Sequence, residues 1–206
     1  MPDELVDLYS PDDDTGRVVG TVPRSQMRAE NLPHAATAVL LLDDEGRVYV
    51  HRRTDDKDVF PGMWDCWAGG VVTAGEDPER AAVRELAEEL GVSVPRLEPL
   101  FRHWYRDHRT WYLAWCFRAR WQGQPVVHQP EEVAEGRWFT LSELRALLDD
   151  PARPFVPDGR VGIERYLAER LGDHLPSSGA PLSRPIAATV HRGARAVAAI
   201  KGRRTS

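Results

Sequence analysis

A chain of 206 residues, 42% of them apolar, has material for one domain with extensions or for two small ones. With 29% charged residues and a formal net charge of −5, it argues against nucleic-acid backbone binding as the main role, and no apolar run is long enough to span a bilayer. Cys66 and Cys116 form neither a metal-ligand spacing nor a disulfide framework, and the N-terminus lacks the pattern of a signal peptide, so the expected compartment is the cytoplasm.

In chain order, Leu5, Val6 and Leu8 and then Val18, Val19 and Val22 flank an acidic turn over residues 11–16, predicting a β-hairpin followed by a polar segment at 24–30. Residues 37–42 and 48–52 form a second predicted hairpin around a turn at 43–46. A polar loop over 54–62 ends in Phe60-Pro61-Gly62, and residues 64–72 read as one strand. Beyond the central helix, strands are predicted at 97–105 and 111–121, joined by the charged turn 106–109, with both faces of the second buried. A short strand at 135–139 leads into Thr140-Leu-Ser-Glu143, a capping box that opens a helix over 141–148. A proline-rich connector at 151–159 precedes a last amphipathic helix at 162–171, and from His174 onward a Pro/Ser/Gly-rich and then basic segment reads as a mobile tail. The domain plan is thus an N-terminal hairpin and polar segment (1–35) packed on a main domain (36–172), with a tail (173–206) outside it.

The chemistry is concentrated in residues 70–92, GVVTAGEDPERAAVRELAEELGV. Asp77 is a candidate N-cap with Pro78 at the first helical position, and Gly91 supplies the stop. Glu85, Glu88 and Glu89, spaced i, i+3 and i+4, share one helix face, while Val83, Leu86, Ala87 and Leu90 gather opposite them for core packing. Carboxylates that close repel one another unless a cation sits among them, and a hard divalent ion such as Mg²⁺ prefers oxygen ligands. A solvated acidic face is the alternative, and the loop in front, with Gly70, Gly75 and Glu76, weighs against it.

Gly70, Glu76, Arg84, Glu85, Leu86, Glu88, Glu89, Gly91 and Val92 fill every specified position of G-x(5)-E-x(7)-R-E-U-x-E-E-x-G-U, where U is a bulky aliphatic residue. The stretch therefore resembles the signature of the Nudix hydrolase superfamily; a chance match is on the order of one in a million or less. The resemblance implies an α/β fold, an α/β/α sandwich with a mixed central sheet. It implies hydrolysis of a diphosphate linkage in a nucleoside-diphosphate-type substrate, using one to three Mg²⁺ ions, with Mn²⁺ as the alternative metal. By similarity, Glu85 and Glu89, then Glu88, ligate metal together with the Gly70 carbonyl. Glu85 is the expected general base, and Glu132 (with its neighbour Glu131) matches where many members place a further acidic ligand or base. Arg84 would pair with a glutamate and fix its rotamer. Arg52, Arg53 and Lys57 are candidate substrate contacts or solvated loop residues. Trp67, Trp111 and Trp115 would either stack a base or fill the core.

Residues 34–65 are similar to the branch of the superfamily that contains isopentenyl-diphosphate isomerases, which raises isomerisation as a second reading. The isomerase cysteine and metal-binding histidine fall here on Gly69 and Val71; Cys66 is displaced, and only His34 matches. The paired acids of a later isomerase strand also have no match. The closest resemblance is to bacterial Nudix hydrolases of that branch. A catalytically silent, nucleotide-sensing domain is a third reading, against which the intact glutamates argue. A small-molecule diphosphate is the expected partner, with a homodimer common in such families and no stable nucleic-acid or membrane partner. Specificity is expected in the loops 54–62, 106–109 and 122–132.

Overall fold

Strand β3, His34–Leu42, is an aliphatic and β-branched run buried on both faces, and it organises the sheet. The computed structural model describes residues 3–12 and 15–170. Along one edge β3 pairs in parallel with β8 (Trp111–Arg120), from His34↔Tyr112 to Leu42↔Arg120. Its other edge is shared by four segments in succession: Leu8 of β1 (Leu5–Tyr9) at His34, Val71 at Ala36, Ala68 of β6 (Trp67–Ala68) at Val39, and Val48 of β4 (Val48–Arg53) at Leu42. Strands β2 (Val18–Pro23), β5 (Trp64–Asp65), β7 (Glu98–Arg106) and β9 (Val133–Phe139) complete a nine-stranded mixed sheet by pairing with β1, β4, β8 and β4. Both predicted hairpins and the capping box form, the latter opening α3 (Leu141–Leu148) through Thr140 and Glu143. On β8 the consecutive buried residues Leu113 and Ala114, then Cys116 and Phe117, show that both faces are covered.

The chain divides into two compact units, residues 1–165 and 166–206. Of the second unit only 166–170 is described, the end of α4 (Pro157–Arg170). The predicted tail over 173–206 lies outside the described residues. Among the described residues, no helix is long and apolar enough to cross a membrane.

Helix α2, Pro78–Leu90, forms with the predicted ends. The Asp77 carboxylate accepts the N–H groups of Glu79 and Arg80 at 3.0 and 3.2 Å, and Gly91 stops the helix in the left-handed region at φ 64°. Its orientation differs from the expected one. Val83 is exposed and Ala87 half-buried, while Ala81, Ala82, Leu86, Glu89 and Leu90 are buried. The two alanines allow α2 to lie close over β3, β6 and β8, and that rotation carries a glutamate inward with the leucines.

Three other expectations are corrected. The polar segment after the first hairpin is a short helix, α1 (Arg24–Ala29), pinned by buried Met27. The strand expected over 64–72 is broken: β5 pairs with β4, and the chain then crosses to pair with β3. The Asp65 carboxylate makes the crossing by accepting the N–H groups of Cys66 and Trp67 at 2.7 and 3.2 Å. Helix α4 begins at Pro157, not at 162, because proline at a first helical position loses no hydrogen bond. Asp77→Ala should cost about 1 kcal/mol of stability, read as a lower urea midpoint with unchanged slope; an unchanged midpoint would show that α2 does not depend on its cap.

Candidate active site

Two glycines bring the carboxylates of α2 to the sheet. At Gly69 an added Cβ would lie 2.0 Å from the Thr37 carbonyl oxygen, and at Gly70 it would lie 2.6 Å from Glu85 Oε1. No other residue fits either position without moving backbone or displacing the carboxylate. Gly69 N–H donates to Glu89 Oε2 at 3.1 Å, and the Gly70 carbonyl accepts Thr37 N–H at 2.8 Å, which leaves it a second lone pair.

Glu89 is only 6% exposed. Burial, and then the Glu85 charge, push its carboxyl up to about 8. Burial also raises Glu85, and Arg84 opposes that shift. Glu88 is exposed. The Arg84 guanidinium bonds Glu76 at 3.1 and 3.2 Å, Glu85 at 2.9 Å and Glu88 at 3.1 Å. It therefore holds three carboxylates at once, and its contact with Glu76 keeps that carboxyl below the usual range. Glu76 also accepts the Thr73 N–H at 3.4 Å, which ties the loop to the helix.

Among the described residues, no three histidine, cysteine or acidic side chains converge as a ready metal cage. The donor chemistry nevertheless fits a hard divalent cation. Glu85 and Glu89 are oxygen donors, and the Glu85 charge disfavours ionisation of Glu89, a strain that a cation would relieve. Glu85, Glu89, Glu88 and the Gly70 carbonyl are the groups available to hold it.

The basic candidates separate. Lys57 forms an ion pair with Glu132, and both Lys57 and Arg53 act electrostatically on Glu89. Arg53 Nε donates to the Val59 carbonyl at 3.2 Å. Arg52 instead pairs with Asp55 at 2.9 Å and Glu135 at 3.1 Å, and is not brought to the carboxylates. The Glu131 carbonyl receives the Thr54 hydroxyl. Of the tryptophans, Trp67 alone lines the cavity beside the glycines; Arg102 lies 4.6 Å over Trp115, and Arg106 lies 4.0 Å over Trp111.

That cavity, of about 180 Å³, shares Gly69 and Gly70 as a wall with the carboxylate site. Its polar lining was not anticipated from the sequence. The Tyr112 hydroxyl donates to Asp158, and Asp158 faces Asp65, with Gly159 so close that an added Cβ would meet Asp65 Oδ1 at 2.5 Å. Burial, and then the Asp158 charge, push Asp65 up to about 7. His34 and His103 line it too, and burial lowers each to about 4, so both rings are neutral. His34 Nδ1 donates to the Leu32 carbonyl at 2.9 Å. Asp65, Tyr112 and Asp158 come from β5, β8 and α4, and no local spacing marks them as a group.

This arrangement of carboxylates on a helix, glycine loop and mixed sheet defines a class. The NUDIX domain family model matches residues 32–159, and the chain belongs to the Nudix family. It is a hydrolase acting on acid anhydrides in phosphorus-containing compounds. It is 43% identical over 175 residues to an uncharacterised Nudix hydrolase of Rhodococcus erythropolis, covering 80% of this chain and 92% of that one. It is likewise 43% identical over 171 residues to one of Streptomyces coelicolor, covering 82% and 91%. The fold matches a solved Deinococcus radiodurans protein with TM-score 0.62 at 24% identity, over 79% of this chain and 98% of that one. A MutT NUDIX hydrolase of Burkholderia pseudomallei matches with TM-score 0.52 at 28% identity, over 64% and 96%.

The raised Asp65 means that the folded state holds a proton which the unfolded chain has released between about pH 4 and 7. Its contribution to stability is complete at low pH and is lost as pH rises through that window. Asp65→Asn should therefore flatten the fall of Tm between about pH 4 and 7; an unchanged slope would show that this carboxyl does not titrate there.

Proposed function

We propose that this Nudix hydrolase cleaves a diphosphate linkage in a nucleoside-diphosphate-type substrate, with Mg²⁺, or Mn²⁺ in its place, held by Glu85, Glu89, Glu88 and the Gly70 carbonyl. The observation that carries the reading is the buried Glu89, bonded by Gly69 N–H and set beside Glu85 against a glycine wall. When bound, the cation supplies neutralisation of the diphosphate charge and acidifies a water.

The chain's own residues then have separable roles. Arg84 orients Glu85 and holds Glu88 by direct hydrogen bonds. Glu85, with its carboxyl raised by burial, is suited to take the proton of the attacking water. Glu132 is the second candidate base, and here its carboxylate is paired with Lys57. Arg53 and Lys57 supply positive charge near Glu89 for a phosphate group; Arg52 is committed to Asp55 and Glu135.

We place the chain with the hydrolases of the branch that also contains isopentenyl-diphosphate isomerases, on the resemblance of residues 34–65. Isomerase chemistry is disfavoured on steric grounds. The position of the isomerase cysteine is Gly69, where any Cβ would collide with the Thr37 carbonyl. Cys66 offers no substitute, since burial pushes its thiol well above the usual range.

The test is a metal-dependent screen across nucleoside diphosphate sugars, dinucleoside polyphosphates, oxidised nucleotides, coenzyme A and isopentenyl diphosphate. Turnover of at least one diphosphate is expected, with Glu85→Gln lowering kcat about 10²–10⁴-fold and Glu89→Gln abolishing it while the fold is kept. Wild-type turnover by Glu89→Gln would refute the assignment, and interconversion of isopentenyl and dimethylallyl diphosphate would favour the isomerase instead.

A further inference from the structure

The first hairpin and α1 precede the Nudix domain, which begins at residue 32, yet they meet the loop that carries Gly70 and Glu76. Strand β1 and Glu4 just before it are bonded to that loop. The Leu5 carbonyl accepts Ala74 N–H at 2.8 Å, the Asp7 carboxylate accepts Gly75 N–H at 2.8 Å, and the Thr73 hydroxyl donates to Glu4 Oε1 at 2.7 Å. The other Glu4 oxygen, Oε2, accepts the Arg24 guanidinium at 2.5 Å, and the Glu4 carbonyl accepts Arg24 N–H at 2.7 Å. Glu4 is thus fixed by the loop on one side and by the first residue of α1 on the other. Thr73, and then Arg24, hold its carboxyl below the usual range against burial. Thr73 N–H in turn bonds Glu76, which Arg84 joins to Glu85, so a continuous chain of polar contacts runs from Arg24 to the metal site. Arg24 also stands near enough to Glu85 for its charge to oppose, more weakly than Arg84, the rise that burial causes there.

We propose that Glu4 is a positioning residue for the metal site: it engages Arg24 and so keeps that guanidinium off Glu85, leaving a Glu85 oxygen open to a divalent cation. The inference rests on the metal-dependent reading given above. Arg84 takes Glu85 Oε1 at 2.9 Å, so Oε2 is the oxygen left for a metal. An arginine stays charged at any working pH and grips a carboxylate through a fork of N–H groups. Released from Glu4, Arg24 has Glu85 as a neighbouring carboxylate, and a guanidinium seated on Oε2 competes with a metal for the same lone pairs. The Glu85 side chain is 15% exposed and that of Glu4 37%, so solvent screens a pair with Glu85 less and gives Arg24 no reason of its own to prefer Glu4. Geometry supplies the preference. The Val6↔Thr73 bridge sets Glu4 beside the loop, Thr73 takes Oε1, and Oε2 is turned to Arg24. A tie to the loop alone would not call for the arginine, since Leu5 and Asp7 already hold Ala74 and Gly75.

Binding of Mn²⁺ tests this role without relying on turnover. The ion alone would be titrated against full-length protein at fixed pH and followed by the electron paramagnetic resonance signal of its unbound form. Wild-type protein should bind it, and Glu4→Gln should weaken binding about fivefold, the scale of a partly exposed ion pair. Adding Arg24→Gln to Glu4→Gln should bring the affinity back to within about twofold of wild type. Restoration is the decisive result, because a merely structural Glu4 would leave the double variant binding no better than Glu4→Gln. Should Glu4→Gln fail to fold by circular dichroism, Glu4→Asp, whose shorter carboxylate withdraws from Arg24, takes its place with and without Arg24→Gln. Unchanged Mn²⁺ binding by the folded Glu4 variant, or a weakening that Arg24→Gln does not restore, would overturn the role and leave the metal-dependent reading standing. A wild-type protein that binds no Mn²⁺ would remove that reading, and the role of Glu4 with it.

Discussion

The close approach of the chain at Gly69 and Gly70 to β3 and to helix α2 is the constraint on which the site depends. Gly69 rests against the Thr37 carbonyl and Gly70 against the Glu85 carboxylate, at separations that leave no room for a Cβ. Absence of side chains there does three things together. It lets the segment after β6 join the edge of β3, gives Glu89 a backbone N–H inside the fold, and makes one thin partition between the carboxylates and the cavity. The two alanines of α2 meet the same demand from the helix side, since a bulkier inward row would hold Glu85 and Glu89 away from the loop.

Arg84 explains how so much like charge is tolerated around that partition. Its guanidinium spans Glu76, Glu85 and Glu88, so one fixed cation binds the loop to the helix and offsets three carboxylates. Glu89 is outside its reach and is the group whose ionisation burial disfavours most among the helix acids. Arg53 and Lys57 reach Glu89 only electrostatically. Glu89 is therefore the helix acid whose charged form the protein supports least, and a divalent cation bound beside it would favour that form.

What was legible in the sequence was what depends on neighbours a few residues away. Asp77, Pro78 and Gly91 mark the ends of α2 because capping is local, and the i, i+3, i+4 spacing places three glutamates on the helix before any packing is known. The same spacing could not say which glutamate turns inward. That choice follows from Ala81 and Ala82 meeting the sheet, and so Val83, apolar and rightly periodic, ends outside. The break at Cys66 was hidden for a similar reason: residues 64–72 have strand composition throughout, and only the rivalry of β4 and β3 for the segment divides it. The set Asp65, Tyr112 and Asp158 was out of reach because its members come together only when β5, β8 and α4 are in place.

Burial disfavours carboxylate charge on both sides of the glycine wall, and the two sides differ in the cations that oppose it. On the helix side, Arg84 offsets Glu76, Glu85 and Glu88, while burial still raises Glu85 and Glu89. On the cavity side, burial holds His34 and His103 neutral and keeps Asp65 protonated over a wider range of pH than a free carboxyl. The same cavity is also lined by Arg28, Arg53 and Arg109, so neutral rings and fixed cations share its wall. Arg53 acts on both sides, lowering Glu89 on one and Asp65 on the other. The electrostatics of the glutamate helix and of the cavity behind it are thus joined through one arginine of β4.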